Sequence, residues 1–266
     1  MQLKLFTVPS ILRFFARSSL IRLPSIFITG TDTGVGKTVI TSLLALLYQE
    51  AGVRVGLEKP VITGVKAGGD AALAGDLAFL QKALSTGEGP VYSYAFTPAV
   101  SPHLAAARAG VTIDLARIES DHAAVRSRYD AVLVEGAGGL LAPLNDDSFM
   151  ADLAARLRLP LVIVSRPSLG TINHTLLTVS VARQRDLEVA GIIINNFPAK
   201  PGLAETDNPG AIERFAGVPV LAIVPHITGL SVEEAEEGDI QRVAQAVDKK
   251  FKLLERLSRW REEHVQ

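Results

Sequence analysis

Residues Ile26 to Tyr48 constrain this chain more than any others. The apolar run Ile26-Phe-Ile-Thr-Gly30 enters the loop Thr31-Asp-Thr-Gly-Val-Gly-Lys-Thr38, and an apolar stretch from Val39 to Tyr48 follows at once. A strand, a glycine-rich turn closing on Gly-Lys-Thr and a helix together make a phosphate cradle. In such a cradle the backbone amides of Gly34, Val35, Gly36, Lys37 and Thr38 point at phosphate oxygens, and the dipole of the helix opening at Val39 adds to them. Lys37 is expected at the β- and γ-phosphates, with the Thr38 hydroxyl offered to Mg²⁺. The common pattern G-x-x-x-x-G-K-S/T asks for glycine at position 31. Here Thr31 stands there and Gly30 lies one residue earlier.

Beyond this loop the chain alternates β-rich runs with helical stretches, the pattern of a parallel sheet with crossover helices. Strands are expected at Ser25–Thr29, Val53–Lys59, Ala131–Glu135, Leu161–Ser165, Val189–Ile194 and Val220–Ile223. Ser101-Pro102 reads as an N-cap and first-turn proline opening a helix over His103–Ala109. The fold class that results is α/β: an open, mostly parallel sheet flanked by helices, of the P-loop nucleoside-triphosphatase kind, in a single domain. With 266 residues, 48% of them hydrophobic, the chain has ample core material, and a net charge of −1 gives no sign of a nucleic-acid partner. No cysteine is present, which excludes a disulfide framework and thiolate metal sites. The apolar runs end in Gly, Pro or a charge after strand-like lengths, so no membrane partner is expected.

Ligands of open α/β sheets collect beyond the carboxyl ends of the strands, so the strand-following segments are candidates for chemistry. After the second strand comes Lys59-Pro-Val-Ile-Thr63-Gly64, where Lys59 is either a solvated strand end or a second ammonium beside the phosphate loop. Asp76 reads as a residue that begins or caps a helix carrying Leu77, Leu80 and Leu84. The third strand delivers Glu135 into Gly136-Ala137-Gly138-Gly139, either a carboxylate placed to hold Mg²⁺ or its waters beside a backbone that can approach a phosphate closely, or an N-cap-like acid satisfying the amides of the turn. Pro167 to His174 forms a polar loop in which Asn173 or His174 reads as a helix-start residue. Asn195 and Asn196 carry carboxamides able to read a purine, or serve as ordinary turn residues. Nothing in the composition of Val224-Pro225-His226 is decisive.

The termini differ from the core. Residues 1–24 contain Lys4, Arg13, Arg17 and Arg22 with several serines and no acid before Asp32, so they read as a basic extension: either an organellar transit peptide or a start upstream of the native one. A cytoplasmic location is expected, or a mitochondrial one if the extension is a transit peptide. Residues 25–230 are the expected catalytic domain. Residues 231–266 are expected as one C-terminal amphipathic helix, with Ile240, Val243, Val247, Phe251, Leu254, Leu257 and Trp260 at helical spacing after an acidic patch over Ser231–Glu237.

From about Ile26 to Ile227 the chain resembles the dethiobiotin synthetases. The resemblance rests on six motifs in order: Gly-Thr-Asp-Thr-Gly-Val-Gly-Lys-Thr at 30–38, Lys-Pro-Val-Ile-Thr-Gly at 59–64, Ser-Pro-His-Leu at 101–104, Val-Glu-Gly-Ala-Gly-Gly at 134–139, Leu-Gly-Thr-Ile-Asn-His at 169–174, and Asn195-Asn196. The longer glycine loop is normal in that family. The resemblance implies a cyclo-ligase of biotin biosynthesis that forms C–N bonds, joining 7,8-diaminononanoate and CO₂ into a cyclic urea at the expense of ATP. It also implies Mg²⁺ ligands at Thr38, Asp76 and Glu135, and catalytic ammonium groups at Lys37 and Lys59. Substrate contacts are implied at Thr33, Thr63 and Asn173, Asn173 acting across a homodimer whose substrate site is shared. The nucleotide side is implied at Gly34, Val35, Gly36, Val39, Gly136, Ala137, Gly138, Asn195, Asn196, Pro225, His226 and Ile227. A further glutamate of the family falls in the acidic patch, at Glu233. The chain departs from some members at Gly34, where they have glutamate, and at Asn196, where they have aspartate.

Two other readings share the phosphate loop. Partition and division-site ATPase switches resemble one another in a lysine five positions before the loop lysine, where this chain has Asp32. A corrin amide synthetase would require a glutaminase domain with a cysteine nucleophile, which this chain lacks.

Overall fold

The computed structural model describes residues 22–65, 75–84 and 89–264; residues 1–21 of the expected basic extension lie outside them. At its centre is a six-stranded parallel sheet in the order β2-β5-β1-β6-β7-β8. These strands are β1 (Ile26–Gly30), β2 (Val55–Glu58), β5 (Ala131–Gly139), β6 (Leu161–Ser165), β7 (Val189–Phe197) and β8 (Val220–Pro225). Each overlaps one of the six runs expected from sequence. β1, β2 and β6 are buried along their whole length, as befits strands of a parallel sheet covered on both faces.

Helix α1 (Lys37–Glu50) leads the layer on one face, and its residues Ile40, Leu43, Leu44 and Leu47 join the core cluster there. The other face is covered by α3 (Pro102–Arg108), α4 (Leu115–Arg126), α5 (Met150–Leu157), α6 (Thr171–Gln184) and α7 (Leu203–Ala216), whose apolar residues form a second cluster. β1 lies between β5 and β6, so the chain leaves it in one direction to reach β2 and later returns on its other side. That reversal opens a crevice at the carboxyl ends of the strands, directly over the glycine loop.

Two short pairs were not anticipated. β3 (Val61–Thr63) runs parallel to β4 (Tyr94–Phe96), extending the segment after Lys59, and β9 (Leu230–Ser231) pairs antiparallel with β10 (Glu236–Glu237). Strands this short carry too few residues for their alternation to stand out in a sequence. Helix α2 (Gly75–Lys82) begins at the expected place, with Asp76 in its first turn and ion-paired with Lys59.

The expected single terminal helix is corrected as well. Residues 231–237 belong to the ribbon, and two helices follow, α8 (Ile240–Phe251) and α9 (Leu253–His264). Lys252 between them takes the left-handed conformation, φ 52°, and the Asp248 carboxylate accepts a hydrogen bond from the Leu254 amide at 2.8 Å. The bend lets both apolar stripes reach the same core: Ile240, Ala244 and Val247 from α8, Leu253, Leu254 and Leu257 from α9. Arg256 then donates to the carbonyls of Val220 and Leu221 at 2.9 and 3.0 Å, fastening α9 to the start of β8.

Candidate active site

The glycine loop joins β1 to α1. Gly30 closes the strand where a Cβ would stand 2.7 Å from Val35 Cγ2 and 3.2 Å from the Lys37 ammonium, so the bare backbone lets Lys37 fold across it. Gly36 is the N-cap of α1 with φ 91°, and a Cβ there would lie 2.0 Å from Asn195 Nδ2. No side chain caps α1 and its first turn holds no acid, so its leading amides are left for an anion.

Sheet register assembles the charged centre. β2 ends at Glu58, opposite Val134 of β5, so the next residues, Lys59 and Glu135, emerge level with one another. Lys59 Nζ donates to Glu135 Oε1 at 2.8 Å and is ion-paired with Asp76. Thr38 Oγ1 donates to the same Glu135 oxygen at 2.8 Å. Glu135 is 1% exposed, and its Oε2 has no hydrogen-bond partner among the described residues. Lys37, also buried, donates to the Asp32 carbonyl at 3.1 Å. Burial, together with the neighbouring Lys59 ammonium, holds Lys37 below the usual lysine pKa despite the attraction of Glu135. Burial acts on Lys59 in the same sense, but the carboxylates of Glu135 and Asp76 outweigh it and raise its pKa.

One cleft of about 470 Å³ brings most of the expected residues together: Thr33, Gly34, Gly36, Lys37 and Thr38 from the loop, Lys59, Thr63 and Asp76, and the turn Glu135 to Gly138. Glu233 borders it too. A second hollow of about 230 Å³ opens across the loop, where Gly34, Val35, Gly36 and Val39 face Asn195, Asn196, Pro225, His226 and Ile227. Asn195 is buried and donates to the Val35 carbonyl at 3.0 Å, so its amide nitrogen braces the loop. Asn196, at φ 59°, is exposed beside His226, their Oδ1 and Nδ1 2.8 Å apart. Asn173 borders neither hollow; it is exposed in the first turn of α6.

Two pairings had been missed. Arg166 donates to Asp32 at 2.6 Å, tying the phosphate loop to the segment after β6. Glu58 and His122 form a buried pair, with both carboxylate oxygens 3.0 Å from Nδ1. The signal for His122 was present: Leu115, Ile118, His122 and Val125 share the buried stripe of α4 at helical spacing.

Comparison with known proteins accords with this geometry. A family model described as an AAA domain matches residues 24–234. The ATP-dependent dethiobiotin synthetase BioD of Bacillus licheniformis is 42% identical over 207 residues, covering 77% of this chain and 87% of the relative. The enzyme of the same name from Bacillus subtilis strain 168 is 39% identical over 210 residues, covering 78% and 89%. The chain belongs to the dethiobiotin synthetase family. Among solved structures, the cell division ATPase MinD of Pyrococcus furiosus aligns with a TM-score of 0.56 at 17% identity, covering 91% of this chain and 99% of that one. A ParA family ATPase from Chlorobium tepidum TLS aligns at 0.50 and 18%, covering 92% and 100%. At such identities the likeness is one of fold alone, the P-loop fold expected from sequence. Membership of the synthetase family disfavours the switch-ATPase reading, and the residue that would be the switch lysine is Asp32, engaged with Arg166.

Proposed function

We propose that this protein is an ATP-dependent dethiobiotin synthetase acting in the cytoplasm. It would close 7,8-diaminononanoate and CO₂ into the cyclic urea dethiobiotin, with release of ADP and phosphate. The observation that carries the reading is the convergence of Lys37, Lys59, Thr38 and Glu135 on one cleft beside an uncapped helix N-terminus, in a chain of this family.

An amine of the substrate captures CO₂ as a carbamate. A carbamate oxygen then attacks the γ-phosphorus, ADP leaves, and the second amine attacks the carbamoyl carbon, expelling phosphate as the ring closes. No protein nucleophile takes part, so catalysis reduces to positioning and charge neutralisation. The α1 amides and Lys37 hold the transferring phosphoryl group, while Lys59 neutralises charge on the carbamate. Thr33 and Thr63 border the same cleft and orient the diamine.

The residues suit Mg²⁺. Thr38, Asp76 and Glu135 supply hard oxygen donors, and the buried Glu135 Oε2 lacks a partner among the described residues. Bound there, the cation would neutralise phosphate charge. The base of ATP fits the hollow formed by Asn196, Pro225, His226 and Ile227. Asn173, exposed and outside its own chain's cleft, would serve the substrate site of a second subunit, and the exposed Leu169 and Leu177 beside it suit a homodimer.

Purified protein with 7,8-diaminononanoate, bicarbonate, Mg²⁺ and ATP should yield dethiobiotin in step with phosphate. Phosphate release without that product, independent of the diamine, would overturn the reading.

A further inference from the structure

Of the two lysines in the cleft, one sits inside the acid pair and the other does not. Lys59 is bonded to Glu135 at 2.8 Å and ion-paired with Asp76, whereas Lys37 donates to a backbone carbonyl and bonds to neither acid. Glu135 Oε1 already accepts two donors, Lys59 and Thr38. A carboxylate so deeply buried demands a counter-charge, because an unpaired buried ion is strongly disfavoured. A divalent cation held by Thr38, Asp76 and Glu135 would find Glu135 Oε2 without a partner among the described residues, but would meet the Thr38 hydroxyl already engaged with Glu135 and the Asp76 carboxylate already ion-paired with Lys59.

We propose that Lys59 is the resident counter-ion of the acid pair: it holds Asp76 and Glu135 together while no divalent cation is bound, and yields them when one arrives. The proposal rests on the reading of this cleft as the nucleotide and metal site, and it concerns what prepares that site. Asp76 is the partner suited to change hands, since its side chain is 40% exposed against 1% for Glu135. Cation arrival thereby frees the Lys59 ammonium for the reacting groups, so a catalytic charge is released only when the nucleotide's counter-ion is present.

Direct competition separates from a general charge effect by comparing Lys59→Met with Lys37→Met. Each removes one positive charge from the same cleft, but only the first removes a bond to the acids. The probe is Mn²⁺ alone, without nucleotide, titrated by electron paramagnetic resonance and calorimetry. A bonded opposite charge shifts a carboxylate's affinity for a proton by about one to three log units. Lys59→Met should accordingly bind Mn²⁺ roughly ten- to a thousandfold more tightly than wild type, with Lys37→Met giving a clearly smaller gain. Without divalent cations Lys59→Met should melt below wild type, and saturating Mn²⁺ should raise its melting temperature by more than it raises wild type's. Lys59→Gln repeats the comparison if the methionine variant fails to fold. Equal gains for the two lysines, or no gain at Lys59, overturn the proposal. Product formation measured on the same wild-type preparation keeps the issues apart. Dethiobiotin formed without Lys59-specific competition sinks the counter-ion alone, and competition without product sinks the synthetase reading alone.

Discussion

Replacing Glu135 by glutamine keeps the shape of the side chain and removes its charge. The amide oxygen can take the Oε1 position and still accept from Thr38 and Lys59, while the new amide nitrogen occupies the Oε2 position, which has no partner to offer it. Lys59, 7% exposed, is then left, among the described residues, with Asp76 as its only carboxylate. Removing one member of a buried ion pair costs about 3–5 kcal/mol, and the retained Asp76 contact sets the expectation at the lower end, about 3 kcal/mol. For a chain of this size that corresponds to a fall in melting temperature of roughly 6–12 °C. Denaturant unfolding of the metal-free protein measures this loss. Calorimetric titration with ATP over a range of Mg²⁺ measures the second consequence, that nucleotide binding needs more Mg²⁺ than in wild type. Wild-type stability would refute the reasoning about the buried pair. An unchanged Mg²⁺ dependence would refute the assignment of Glu135 to the metal.

On the proposed role of Lys37 at the transferring phosphoryl group, Lys37→Ala should lower kcat by about a hundred- to a thousandfold, or roughly 3–4 kcal/mol, with circular dichroism unchanged; near-full turnover at saturating ATP would exclude the role. If the substrate site is shared across a homodimer as proposed, mixing inactive Lys37→Ala with inactive Asn173→Arg should partly restore activity through subunit exchange, because one site of the mixed dimer would escape both lesions. No recovery despite demonstrated exchange would put both residues in the same chain's site. Tyr48, fully buried, donates to the Pro24 carbonyl at 3.0 Å, and burial pushes its phenol above the usual tyrosine range. Stability from the neutral phenol is fully present below the unfolded tyrosine pKa of about 10 and is lost as pH rises above it. Tyr48→Phe should thus cost about 1 kcal/mol at pH 7, and denaturant titrations should show that gap closing above pH ~10; a constant gap would refute the coupling.

Sequence by itself determined the sheet strands, the phosphate loop and the family, because each is written in neighbouring residues. Apolar runs of strand length mark fully buried parallel strands, and glycines spaced before Gly-Lys-Thr mark a turn that only a small set of backbones can make. Asn195 and Asn196 were likewise visible as a polar pair at a strand end, although their division of labour was not. That division depends on Gly36, whose missing Cβ admits the Asn195 amide to the loop and leaves Asn196 to face His226. Tertiary structure decided whatever depends on residues far apart in the chain. Asp76 is legible in the sequence as a helix-start acid, but only the level exit of β2 and β5 brings Lys59 between it and Glu135. The C-terminal stripe read as one helix because its apolar spacing runs on through Lys252, and only the shape of the core beneath it calls for a bend there. Local periodicity records which face of a segment is buried. What that face meets, and which charge ends beside which, is set by strand register and by the order of strands in the sheet.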